Sequence, residues 1–154
     1  MKTTYKISFV LGALLLAVST FAQERKVKRS DLPPSVEKTV EEQSKGATIR
    51  GFTAEKENGQ TTYEVEMVVN GHSKDVQMDA NGAVIETEEQ VDLQAVSEEV
   101  RAGLQAKAGK GKIMKVESIT KKDRLVAYEA QIVTQGKKSE VQVGPDGKLL
   151  YHEE

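Results

Sequence analysis

The sequence predicts an α+β fold: two tandem units, each a helix followed by a four-stranded antiparallel meander, with the helices on one face of the sheet. Three observations predict it. The segment YEVEMVVNGHSKDVQMDANGAVIETEE from Tyr63 lies gap-free over YEAQIVTQGKKSEVQVGPDGKLLYHEE from Tyr128, at an offset of 65 residues. A fixed period of that size marks a duplicated structural unit. Tight-turn dipeptides punctuate both segments, and tight turns force antiparallel neighbours. An apolar stripe with helical spacing precedes each segment.

The elements follow in chain order. Residues 1–22 read as a secretory signal peptide: Lys2 and Lys6 supply the positive end, Ile7 to Val18 the apolar stretch, and Thr20 and Ala22 the small side chains before a cut between Ala22 and Gln23. The apolar run is 12 residues, short of the ~20 that span a bilayer. With no cysteine to take a lipid, the mature chain is expected to be periplasmic or secreted, without a membrane anchor. Residues 23–30 are polar, basic and aperiodic, and read as a flexible linker carrying a dibasic Lys28-Arg29 pair.

The first unit, residues 31–90, is expected to open a helix at Ser30 or Asp31, with Pro33 and Pro34 in its first turn, where a missing N–H costs nothing. Val36 and Val40 share one helical face, and Gly46 is the stop. In the second unit, residues 91–154, Leu93, Val96, Val100 and Leu104 form the stripe, and Gly109 and Gly111 end it. Gly103 falls inside that helix, at a cost of ~1 kcal/mol relative to Ala. Lys107, Lys110 and Lys112 complement the helix dipole at its C-terminal end.

Strands are expected at 48–57, 60–69, 72–78 and 83–89, then at 112–121, 124–134, 137–143 and 147–152. Asn58-Gly59 and Asn70-Gly71 carry the first two turns, and Lys122-Asp123 and Gln135-Gly136 their counterparts. Alternation places Tyr63, Val65, Met67, Val76 and Met78, with Tyr128, Ala130, Ile132, Val141 and Val143, on the face the helices cover. Glu64, Glu66 and Gln77, then Glu129, Gln131 and Gln142, take the other face, with Val68 and Val133 among them. One covered and one solvated face is the norm for an antiparallel sheet.

Composition narrows the function. The chain has no cysteine, so thiol chemistry, iron–sulfur clusters and Cys-ligated zinc are excluded. After signal removal the aromatics are Phe52, Tyr63, Tyr128 and Tyr151, too few for a nucleic-acid stacking platform. Loss of Lys2 and Lys6 leaves 20 basic and 24 acidic residues, a net of −4. From Asp31 to Gln90 there are 5 basic and 13 acidic residues; from Val91 to Glu154, 11 and 10. The acidic first half argues against binding a phosphate backbone and is compatible with a basic partner.

The pattern of helix, meander, aromatic-led strand and D-x-x-G-type turn resembles the PepSY domain. It is carried by Tyr63 with Asp79-Ala80-Asn81-Gly82-Ala83-Val84-Ile85, and by Tyr128 with Gly144-Pro145-Asp146-Gly147-Lys148-Leu149-Leu150. The tandem form is similar to secreted PepSY-like proteins with the fold of the β-lactamase-inhibitor protein, a broad concave sheet with helices on its back. The resemblance implies a non-catalytic protein- or peptide-binding module, with restraint of a peptidase as the proposed role. The second copy departs from the pattern at Gly144, where the first has Asp79.

No catalytic, cofactor or metal set is expected. His72 and His152 are the only histidines and stand 80 residues apart. Asp79-Ala80-Asn81-Gly82 resembles the start of a calcium loop, but Val84 and Ile85 continue as strand rather than as further ligands. Ser97, Ser118 and Ser139 lack a nucleophile-elbow context. The candidate partner face is therefore the helix-free one: Glu64, Glu66, Val68, Glu129, Gln131, Val133 and Gln142. Two alternatives stand beside a binding module. One is a passive envelope structural or stress protein without a discrete partner. The other is a weak metal-dependent hydrolase in which His72 or His152 meets carboxylates in a cleft.

Overall fold

The computed structural model describes residues 23–150. The signal peptide and its cut at Ala22–Gln23 lie outside the described residues, as do Tyr151 and His152. Nine strands run in chain order across one antiparallel sheet: β1 (Gln23–Lys26), β2 (Thr48–Glu57), β3 (Gln60–Val69), β4 (His72–Asp79), β5 (Val84–Val91), β6 (Lys112–Lys121), β7 (Arg124–Thr134), β8 (Lys137–Val143) and β9 (Leu149–Leu150). Two helices accompany them, α1 (Pro34–Gln43) and α2 (Glu98–Ala108).

This corrects the expected fold class of two tandem helix-plus-four-stranded meanders. The described residues form a single nine-stranded sheet with two helices, and most of them are in the sheet. Two features account for the difference. β5 pairs with β6 from Glu86↔Lys121 to Val91↔Val116, so the sheet continues without a break across α2. Residues 23–26, expected in a flexible linker, pair with Thr53–Lys56 and add a strand, and Arg29–Asp31 form a 3-10 turn. Tight-turn signals reveal neighbours joined by two residues, but not a pairing across a helical crossover or one made by a polar tail.

The turns hold the sheet's register. Asn58 and Gly59, Lys122 and Asp123, and Gln135 and Gly136 all have positive φ, as type I′ turns require. α1 starts three residues after the expected Asp31, because Pro33 and Pro34 suit its N-cap and first turn. α2 is shorter than its apolar stripe. Ser97 accepts a hydrogen bond from the Val100 N–H at 3.3 Å and caps the helix, leaving Leu93 and Val96 in the approach to it.

Both helices pack on one face of the sheet and bury separate apolar clusters. Val36 and Val40 of α1 meet Val65, Met67, Val76 and Met78, while Val100 and Leu104 of α2 meet Val116, Ala130, Ile132 and Val143. The turns after β4 and β8 lie close on the helices. The Thr39 hydroxyl donates to the Gly82 carbonyl at 2.7 Å, and Ser35 to that of Ala80 at 3.0 Å. A Cβ at Gly82 (φ +80°) would collide with the Ser35 carbonyl, and one at Gly147 (φ +74°) with that of Glu99.

Candidate functional site

The site lies on the helix-free face, and the strand register builds it. Glu64 sits opposite both Thr53 and Gln77; Glu66 opposite Asp75; Asp75 opposite Glu88; Glu117 opposite both Gln90 and Glu129; Gln131 opposite both Lys115 and Glu140. Directly opposed residues share a face, so seven strands deliver these side chains to one side. Residues from β2 through β8 line one cavity of ≈ 500 Å³. In a flat sheet β2 and β8 would stand about 29 Å apart, so the sheet curls and makes this face concave. The curl also buries residues that no helix covers: Glu117 is 2% exposed and Thr53 6%, with Ile119 and Ala127 buried beside them.

The concavity is strongly acidic. Its lining carries Glu55, Glu64, Asp75, Glu88, Glu117, Glu129 and Glu140 against a single base, Lys115. Like charges placed directly opposite destabilise a sheet, yet acid faces acid at Glu66/Asp75, Asp75/Glu88 and Glu117/Glu129. The deepest carboxylate, Glu117, is satisfied: the Lys115 ammonium lies 2.7 Å from it and the Ser73 hydroxyl donates to it at 3.1 Å. The Gln142 amide donates to Glu129 at 2.8 Å, and Lys121 pairs with Glu86 at 2.9 Å.

Crowding shifts the acids. Burial, then the charges of Glu117, Glu129, Glu86 and Asp75, push Glu88 up to about 7. Asp75 is raised by burial and by Glu117, with Lys115 acting against the rise. Asp75, Glu88 and Glu117 each offer one carboxylate oxygen within 4.8 Å of the others, so a cation could be held there. A calcium ion asks for six to eight oxygens, and Lys115 already places an ammonium against Glu117.

Of the residues expected on the partner face, Glu64, Glu129 and Gln131 line the cavity. Glu66 stands beside it opposite Asp75, and Gln142 holds Glu129. Val68 and Val133 lie on the same face toward the strand ends, opposite Ser73 and Lys138. Asp75, Glu88, Lys115 and Glu117 are additions that the sequence did not single out. Their signal was present: each stands at the helix-free parity of its strand, and only the β5–β6 pairing brings them together. Asp79 is a turn residue: its carboxylate accepts from the Asn81 and Ala83 N–H groups at 2.8 and 2.9 Å. In the later turn Asp146 accepts from the Lys148 N–H at 3.1 Å.

No protein-family model matches the chain, so PepSY membership is not shown, and no curated protein matches it. Solved structures do match. A DUF2874 family protein from Bacteroides ovatus has 17% identity and a TM-score of 0.61, covering 78% of this chain and 85% of that one. A BLIP-like protein from Bacteroides fragilis has 18% identity and a TM-score of 0.57, covering 78% and 84%. A protein of proposed periplasmic location from Bacteroides eggerthii has 17% identity and a TM-score of 0.64, covering 78% and 86%. The class is thus set by architecture: the chain has a BLIP-like fold, a curved antiparallel sheet with helices on its convex side.

Proposed function

We propose that this chain is a periplasmic, non-catalytic binding protein whose acidic concavity holds a lysine- or arginine-rich segment of another protein. The observation that carries this reading is the Lys115–Glu117 contact. The cavity gathers seven carboxylates, and the one ammonium among its lining residues is seated against the most buried of them. A partner's basic side chains would repeat that contact at Glu64, Asp75, Glu88 and Glu129 and relieve their mutual repulsion. The leader sequence and the proposed location of the Bacteroides eggerthii neighbour support export. A restrained peptidase is the partner that the sequence resemblance suggests.

The test is calorimetric titration of residues 23–154 with a lysine-rich peptide, a glutamate-rich control and Ca²⁺. The basic peptide should bind, weaken as salt rises, and weaken at least tenfold in a Glu64→Lys/Glu66→Lys variant of unchanged circular dichroism. Binding of Ca²⁺ without binding of the peptide would overturn the reading, and so would peptide affinity indifferent to the two substitutions. Pull-down from the envelope fraction then asks whether a peptidase is retained by the wild type and lost by the variant. Retention of nothing would leave a passive envelope protein.

A further inference from the structure

A second charged surface, of the opposite sign, lies at the end of the sheet where α2 stops, β7 ends and β8 begins. Lys107 stands in the last turn of α2, and Lys110 and Lys112 flank Gly111 just beyond it. Gly111 sits so close to β7 that a Cβ there would collide with Ile132 and Thr134. This locks the end of the helix onto the end of β7. Thr134 pairs with Lys137, and Val133 pairs with both Lys112 and Lys138. Lys112 and Lys138 therefore stand two strands apart, about 10 Å, on either side of Val133. All five lysines are exposed, and among the described residues none pairs with a carboxylate.

Complementing the helix dipole accounts for Lys107 and Lys110. It does not account for Lys137 and Lys138, which belong to a hairpin. Met114, two residues past Lys112, adds an apolar side chain that is 56% exposed. We propose that this lysine end is a peripheral docking surface for an anionic lipid bilayer, the phosphate headgroups engaging Lys107, Lys110, Lys112, Lys137 and Lys138. A polybasic cluster gains attraction to such a surface with each lysine and loses it with salt. A nucleic-acid partner is disfavoured because the described aromatics, Phe52, Tyr63 and Tyr128, pack against the helix-side clusters and offer no stacking platform. The choice of lipid rests on the export reading; Lys112 and Lys138 flank Val133 on the helix-free face, one step along the strands from the cavity residues Gln131 and Glu140.

The test is co-sedimentation of residues 23–154 with vesicles of phosphatidylglycerol and phosphatidylcholine, and of phosphatidylcholine alone, at low and physiological salt. The wild type should sediment with the anionic vesicles only, at least tenfold more at low salt. Replacing the five lysines with Gln should abolish this while the circular dichroism spectrum stays that of the folded chain. The Glu64→Lys/Glu66→Lys variant should sediment as the wild type does, which separates this surface from the concavity. No sedimentation of the wild type at low salt would overturn the proposal. So would undiminished sedimentation of the five-lysine variant, tighter binding of a duplex oligonucleotide than of vesicles, or full displacement by millimolar inorganic phosphate.

Discussion

Glu88 shows how one side chain records the design of the concavity. It faces Asp75 across the β4–β5 ladder, shares its strand with Glu86, and lies near Glu117 and Glu129; Lys115 is the cation within this group. Its carboxyl is held at about 7 in the folded chain against 4.5 for an ordinary Glu. Between those values the folded state keeps a proton that the unfolded state has released. The contribution of Glu88 to stability is therefore full below pH 4.5, falls as pH rises through 7, and is flat above. Discounted for partial exposure, the loss is about 1–2 kcal/mol. A Glu88→Gln variant should melt several degrees higher than wild type at pH 8 and show a weaker pH slope between 5 and 8. Thermal melts across that range decide it: a wild type that gains stability toward pH 8, or a variant that melts lower there, contradicts the assignment. A basic peptide seated in the cavity should likewise flatten the slope, because it favours the ionised form.

Elements were legible where turn chemistry spoke and illegible where only tertiary context decided. The expected bounds of β2, β3, β6, β7 and β8 match the structure because Asn58-Gly59, Asn70-Gly71, Lys122-Asp123 and Gln135-Gly136 allow few other conformations. The acidic cluster was harder to read. Glu64, Glu129 and Gln131 came from alternation within β3 and β7, but Glu117 reaches Asp75 and Glu88 only through the β5–β6 pairing, which no local pattern encodes. Gly103 makes the same point about helices. Propensity alone marks it as a defect, worth ~1 kcal/mol if replaced by Ala. In the structure a Cβ at Gly103 would run into the Gly147 carbonyl, which packs on α2. Gly103→Ala should therefore destabilise, by about 1–3 kcal/mol through overpacking. Urea unfolding gives the sign directly: a variant with a higher midpoint than wild type would show that the Gly147 turn yields easily.

At the scale of the whole molecule, the described residues form two apolar clusters carried on one sheet. α1 and α2 do not share a cluster, yet β5 and β6 pair along six consecutive positions between them. Backbone pairing over that length couples the halves, so heat should unfold the chain in one transition with equal calorimetric and van't Hoff enthalpies. Leu104→Ala in the α2 cluster should cost about 2–5 kcal/mol and shift that single transition as a whole. Differential scanning calorimetry of the variant is the check: a split into two peaks, one at the wild-type temperature, would mean that each helix guards an independent core. A continuous sheet also explains the curvature, since twist accumulates strand by strand and a separate pair of four-stranded meanders would gather less of it.

The short first strand has a consequence for handling and for resistance to proteolysis. β2 is ten residues long, and β1 covers its outer backbone from Thr53 to Lys56, with exposed Arg25 and Lys26 pointing charge at any approaching chain. Open sheets escape aggregation when their outermost strands are brief and charged. Cleavage after the dibasic Lys28-Arg29 pair would strip this guard and leave β2 with a bare row of N–H and C=O groups, turning a self-limiting sheet into a template for the strands of its neighbours.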